Sequence, residues 1–151
     1  MNPRLFLELA RFFANSSGLP FDRAAFRSAI SRAFYAAYHV AVRFLATIHV
    51  EIREPAKGHD AVRQAFLFCS DPLAKEIGVM LRTLHMQRKW ADYDLDNPDP
   101  EERETAKAAC SQATSTIKKL EFCESPVQLA TMLAKVKRWV EDHPACGLRN
   151  N

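Results

Sequence analysis

Glycine is scarce in this chain, four in 151 residues, and no stretch alternates β-branched with polar side chains. Together those absences argue against turn-rich sheet architectures and leave helices. The four cysteines, Cys69, Cys110, Cys123 and Cys146, include no CxxC pair and no regular spacing. They indicate neither a disulfide framework nor a zinc knuckle, and read as free thiols of a cytoplasmic protein. His143 and Cys146 would supply only two ligands near the C-terminus, so no metal is expected, and no motif calls for an organic cofactor. The uncharged runs, Ala33 to Val42 among them, are too short to cross a bilayer. The stretch MNPRLFLELARFF is apolar on one side only and carries acid and base within it, which reads as a helix rather than a signal peptide or membrane span. Internal repeats and low-complexity segments are absent.

What is there suits one helical domain. The length sits near the common single-domain size, with residues 1–143 expected as one bundle and 144–151 as a flexible tail. Net charge is +3 and unevenly placed: up to Asp71 nine Lys/Arg stand against six Asp/Glu, and from Pro72 onward twelve against twelve. The surplus in the first half permits an anionic partner such as RNA or a nucleotide, and falls well short of a DNA-coating protein.

Taken in order, a first helix spans about Pro3 to Asn15, with Leu5, Phe6, Leu9, Phe12 and Phe13 as its buried side. SSGLP breaks it, and Asp22 caps a long central helix that ends around His49 to Glu51, before a loop where Pro55 and Gly58 forbid continuation. A short helix follows from His59 to Cys69, packing on Val62, Ala65, Phe66 and Cys69. Asp71-Pro72, Asp99-Pro100 and Ser125-Pro126 then repeat one device, a capping side chain followed by proline at the first helical position. They predict helices from Pro72 to Leu95, Pro100 to Glu124, and Pro126 to His143. The fold expected is an all-α, antiparallel up-and-down bundle of five or six helices.

The central helix is chemically two-faced. At 100° per residue, Phe26, Ile30, Phe34, Ala37, Ala41, Phe44, Leu45 and Ile48 form the packing arc. Roughly opposite, Ser28, Arg32, Tyr35, His39 and Arg43 align, with no acid between Asp22 and Glu51. That face is built to meet something negative or polar, whether a ligand or a neighbouring subunit. A second cluster lies in the helix after Pro72, where Arg88 interrupts the inward stripe Ile77, Leu81, Leu84, Ala91 and Leu95. A core-facing arginine requires a partner, and Asp92, four residues on, is placed to be one. His85 and Tyr93 flank the pair. Arg88 and Asp92 read either as a structural bridge or as part of a phosphate-binding site.

These segments resemble a known family. SRAFYAAYHVA (Ser31 to Ala41), KGHDAVRQAF (Lys57 to Phe66) and RKWADYD (Arg88 to Asp94) follow the order and approximate spacing of a branch of the HEPN superfamily. That branch carries an SRxYYAxFHAA-like helix, a K-x-H segment and an R-xxx-DYD-like element. The resemblance spans Arg27 to Asp94. It implies an α-helical bundle, a homodimer, and a minimal nucleotidyltransferase partner in a toxin-antitoxin-type arrangement. Many members are metal-independent endoribonucleases, whose motif is Arg, four to six residues, then His, often followed by Tyr after one more residue. At the matching element this chain places Asp92 near the expected histidine, and a carboxylate paired with Arg88 would repel a phosphate rather than protonate a leaving oxygen. Arg32 and His39 satisfy the spacing instead, on the central helix.

Three functions follow. One is a nucleotide- or RNA-binding protein, with Arg32, Tyr35, His39, Arg88, Asp92 and Tyr93 as its site, and His59 in the KGH segment approaching it. The second is an endoribonuclease toxin, with His39 or His85 as acid/base and Arg32 or Arg88 on the phosphate. The third is a non-catalytic helical interaction module whose polar face is a dimer interface.

Overall fold

The computed structural model describes residues 2–18 and 20–151; of the SSGLP break, Leu19 lies outside the described residues. Among those residues the chain is all-α, as its sequence predicts. Six helices, α1 (Arg4–Ala14), α2 (Asp22–Thr47), α3 (Gly58–Phe68), α4 (Pro72–Tyr93), α5 (Arg103–Cys123) and α6 (Pro126–Asp142), form the bundle, and two three-residue strands, β1 (Val50–Ile52) and β2 (Leu148–Asn150), accompany them. No described helix is long and apolar enough to cross a membrane.

Contacts divide the chain into two compact units, Met1–Ala37 with Arg82–Thr116, and Tyr38–Leu81 with Ile117–Asn151. The first holds α1, the opening part of α2, the closing part of α4 and most of α5. Its core is small-residue packing around a few large side chains: Ala25, Phe26, Ala29, Ile30, Ala33 and Phe34 of α2 are buried with Leu84 and Ala91 of α4 and Ala106, Ala109 and Ala113 of α5. In the second unit Phe44, Leu45 and Ile48 of α2, Val62 and Phe66 of α3, Ile77 and Leu81 of α4, Leu120 of α5, and Met132 and Val136 of α6 make up the core. The whole predicted packing arc of α2 is therefore buried. Its polar face is half-buried at Ser28, Arg32, Tyr35 and His39, and exposed only at Arg43.

The boundaries have local causes. At the start of α4, Asp71 Oδ1 accepts the Ala74 N–H at 3.0 Å while its other oxygen takes Lys135 Nζ at 3.0 Å. Burial alone would raise the Asp71 carboxyl, but the Ala74 amide and Lys135 outweigh it and hold it below the usual range. The same proline device works less fully elsewhere. Ser125 precedes Pro126 without a side-chain cap bond, and Asp99-Pro100 opens a 3-10 turn, Asp99–Glu101, so that α5 starts only at Arg103 after an extended Glu102. α2 stops at Thr47, and His49 turns the chain with φ +59, the left-handed conformation that ends many helices.

Three expectations need correction. In α1 the buried residues are Leu7, Ala10 and Ala14, while Leu5, Leu9 and Phe12 are exposed. The covered side of α1 is thus mostly alanine, and beside it Arg11 reaches Thr114 of α5 at 2.9 Å. Leu95, expected in the inward stripe, is exposed rather than packed, because α4 ends at Tyr93 and Leu95 lies beyond it. The stretch 144–151 is not a flexible tail: Leu148–Asn150 pairs antiparallel with β1, Val50 opposite Asn150 and Ile52 opposite Leu148. Gly147, at φ +91, makes the turn into β2, its carbonyl accepts Arg53 N–H at 2.8 Å, and Leu148 is buried.

Candidate functional site

Arg88 and Asp92 stand one turn apart on α4, the spacing at which opposite charges meet on one helix face. Arg88 Nε lies 2.7 Å from Asp92 Oδ2. Its Nη2 donates to the hydroxyls of Tyr35, at 3.1 Å, and Tyr93, at 3.0 Å. The guanidinium also lies over both rings, 5.6 Å from the Tyr35 centroid and 4.9 Å from that of Tyr93, a cation–π arrangement that favours arginine over lysine. Ser31 Oγ donates to Asp92 Oδ2 at 3.3 Å, tying the carboxylate back to α2. Burial works against the charge on Arg88, but Tyr35, Asp92 and Tyr93 outweigh it and the arginine is held more firmly protonated. The Arg88 side chain is only 13% exposed, whereas Tyr93 is 68% exposed. The cluster thus presents a wet tyrosine face above a sheltered cation.

Sequence reasoning missed the residue that sets this cluster in place. Arg27, one turn before Ser31 on α2, is buried at 8% exposure. Its Nη1 donates to the carbonyls of Trp90 and Ala91, each at 3.2 Å, and of Asp94 at 3.0 Å. Its Nη2 reaches the carbonyls of Leu95 at 3.3 Å and Asn97 at 2.6 Å, and Nε meets Glu101 Oε1 at 3.1 Å. The last carbonyls of a helix need donors, and a cation there also complements the helix dipole. α4 has no glycine after it to turn the chain and satisfy those groups, so Arg27 does the work of a C-cap. The missing glycine before DNPDP was the one signal that a donor must come from elsewhere.

The other candidates lie on aromatic partners. Arg32 sits over Phe6, 6.0 Å from the ring centroid, and His85 stacks on Phe34 at 5.3 Å and 20°. In the second unit Tyr38 gathers two histidines, His39 at 5.3 Å and His59 edge-on at 4.6 Å. Gly58 has no side chain to obstruct the Tyr38 hydroxyl, which lies 3.0 Å from where a Cβ would stand. Burial lowers the His39 pKa, which keeps the imidazole neutral at pH 7 and able to accept a proton. The structure therefore joins Tyr35, Arg88, Asp92 and Tyr93 with Ser31, and separately joins His39 and His59 around Tyr38.

The thiols are not part of this chemistry. Burial pushes Cys69 and Cys123 up to about 11 and raises Cys110 as well, which makes them unreactive packing groups.

No family model matches the chain, and no solved structure matches it. The chain is 28% identical over 116 residues to a protein of Methanocaldococcus jannaschii named "Putative toxin MJ0605", an alignment covering 75% of this chain and 84% of that relative.

Proposed function

We propose that this chain is a HEPN-like nucleotide- or RNA-binding protein of a toxin-antitoxin-type system, acting as a homodimer alongside a minimal nucleotidyltransferase. The observation that carries the reading is the cluster of Arg88 with Asp92, Tyr35 and Tyr93. An exposed tyrosine ring over a sheltered guanidinium offers a base a surface to stack on, and such stacking is sequence-tolerant. Asp92 can accept from a ribose hydroxyl or a base edge. The similarity to a relative named as a toxin, spanning three quarters of the chain, supports the same direction. The aspartate paired to Arg88 favours holding a ligand over cleaving it, because it compensates the charge that a scissile phosphate would need.

Tyr93→Ala tests this with little risk to the fold, since the side chain is largely in solvent. The expected result is a loss of about 5- to 100-fold in affinity for a short single-stranded RNA, measured by fluorescence anisotropy, at unchanged melting temperature. Tyr93→Phe should retain most of the affinity. An alanine variant that binds RNA as the parent does would sink the reading.

One observation favours a second reading, a metal-independent endoribonuclease: burial lowers the His39 pKa and so favours the neutral form a general base requires. In that case RNA is cut in EDTA, and the Arg32→Ala/His39→Ala double variant loses cleavage while staying folded. The sign of the pH dependence follows from the direction of the shift. The base form is lost as pH falls through the lowered His39 pKa, so activity holds through pH 7 and drops on the acid side of the ordinary histidine range. RNA left intact by the parent protein rules this reading out.

A further inference from the structure

A concave surface lies in the first unit, between α1 and α5, and shares no residue with the Arg88 cluster. It is a groove of about 510 Å³, within the size range of small-molecule sites. Its polar lining comes from Arg11, Asn15, Lys107, Ser111, Thr114 and Ser115, over a floor of Ala14 and Cys110. None of these lining residues is acidic and none is aromatic.

The groove is arranged for an anion. Arg11 Nη2 donates to Thr114 Oγ1 at 2.9 Å, and that hydroxyl donates in turn to the Cys110 carbonyl at 2.8 Å. The chain of bonds fixes one edge of the guanidinium and leaves its remaining donors to a ligand. Asn15 Nδ2 is anchored on the Arg11 carbonyl at 2.8 Å. Lys107 pairs with Glu104 at 3.0 Å, but Glu104 is 83% exposed, and an ion pair in that setting is weak enough for a better anion to displace it. Two cations, with the hydroxyls of Ser111 and Ser115 in the same lining, match the needs of a phosphoryl group. The lack of any ring means a base would find nothing to stack on.

We infer that this groove binds a small phosphate-bearing molecule, read through its phosphate or pyrophosphate group rather than through a base. The probe is inorganic pyrophosphate, titrated into the full chain at constant ionic strength and followed by the backbone amide NMR signals of Asn15, Ser111, Thr114 and Ser115. Saturable shifts confined to this set are expected. The Arg11→Met/Lys107→Met double variant, whose changes are on exposed positions, should weaken binding about tenfold or more. Thr114→Val, which frees the Arg11 guanidinium from its anchor, should weaken it less. Shifts no larger than those produced by sodium chloride, or a double variant that binds as well as the parent, would overturn the inference. So would displacement of pyrophosphate by single-stranded RNA lacking a terminal phosphate, which would make the groove part of an RNA path. The Tyr93→Ala experiment above reads a different surface, so the two proposals stand or fall separately.

Discussion

Arg27→Met is expected to destabilise the protein by about 3–5 kcal/mol, the range found when one partner of a buried charged network is removed. Methionine preserves much of the volume of the stem, so the loss reports the guanidinium rather than a cavity. Five carbonyls, those of Trp90, Ala91, Asp94, Leu95 and Asn97, share its donors with Glu101. Removing it takes the donor from the carbonyls of Ala91, Leu95 and Asn97 in a partly dry interior, while those of Trp90 and Asp94 keep the N–H groups of Asp94 and Asn97, and each unsatisfied buried group costs roughly 1–3 kcal/mol. Lysine should rescue little, because one ammonium with three donors cannot span five acceptors. Urea denaturation measures the effect, and a loss under about 1 kcal/mol would refute the assignment of Arg27 as the cap of α4. The consequence reaches the candidate site as well. Asp92 and Tyr93 belong to the turn whose carbonyls Arg27 holds, so in the variant their amides should exchange with solvent faster than those at the start of the same helix.

Gly78→Ala should also be strongly destabilising, although a helix-propensity argument says the opposite. In the middle of an exposed helix, alanine is favoured over glycine by about 1 kcal/mol. Gly78, however, faces the backbone of α3: a Cβ there would stand 2.5 Å from Leu67 N and 2.6 Å from Leu67 Cα. These are main-chain atoms and cannot swing aside as a side-chain tip would. The two helices must separate, and overpacking of that kind costs about 1–3 kcal/mol or more. A net loss of at least about 2 kcal/mol is expected, read as a fall in melting temperature of roughly 4–8 °C for a chain of this size. A Gly78→Ala variant as stable as the parent would mean that α3 and α4 do not approach as closely as described.

The contrast between these two residues shows what was legible in the sequence. Helix positions were, because the packing arc of α2 and the proline starts are local patterns. The Arg88 to Asp92 pair was also legible, since a charge in an apolar stripe demands a partner and spacing supplies one. Arg27 was not, because its acceptors lie 63 to 74 residues away and no periodic pattern announces them. Gly78 sits in a helical stretch where nothing local distinguishes a close approach from an accident. The face of α1 was misread for a related reason. Size and hydrophobicity favoured Leu5, Leu9 and Phe12, but the side of α1 that neighbouring helices cover carries Leu7, Ala10 and Ala14. The joining of Tyr35 to Arg88 follows from how α2 and α4 lie together in the first unit, which periodicity along either helix alone does not contain.

The ladder between β1 and β2 has a kinetic consequence. Val50 and Asn150 are partners, so three residues on each side close a loop of about a hundred residues, with an entropic cost that grows as the logarithm of its length, on the order of 4 kcal/mol. So short a ladder cannot offset that cost by itself. It can form only once α3 and α6 are packed and the loop is already nearly closed. The ladder is therefore expected to form late in folding, a latch set on an assembled unit.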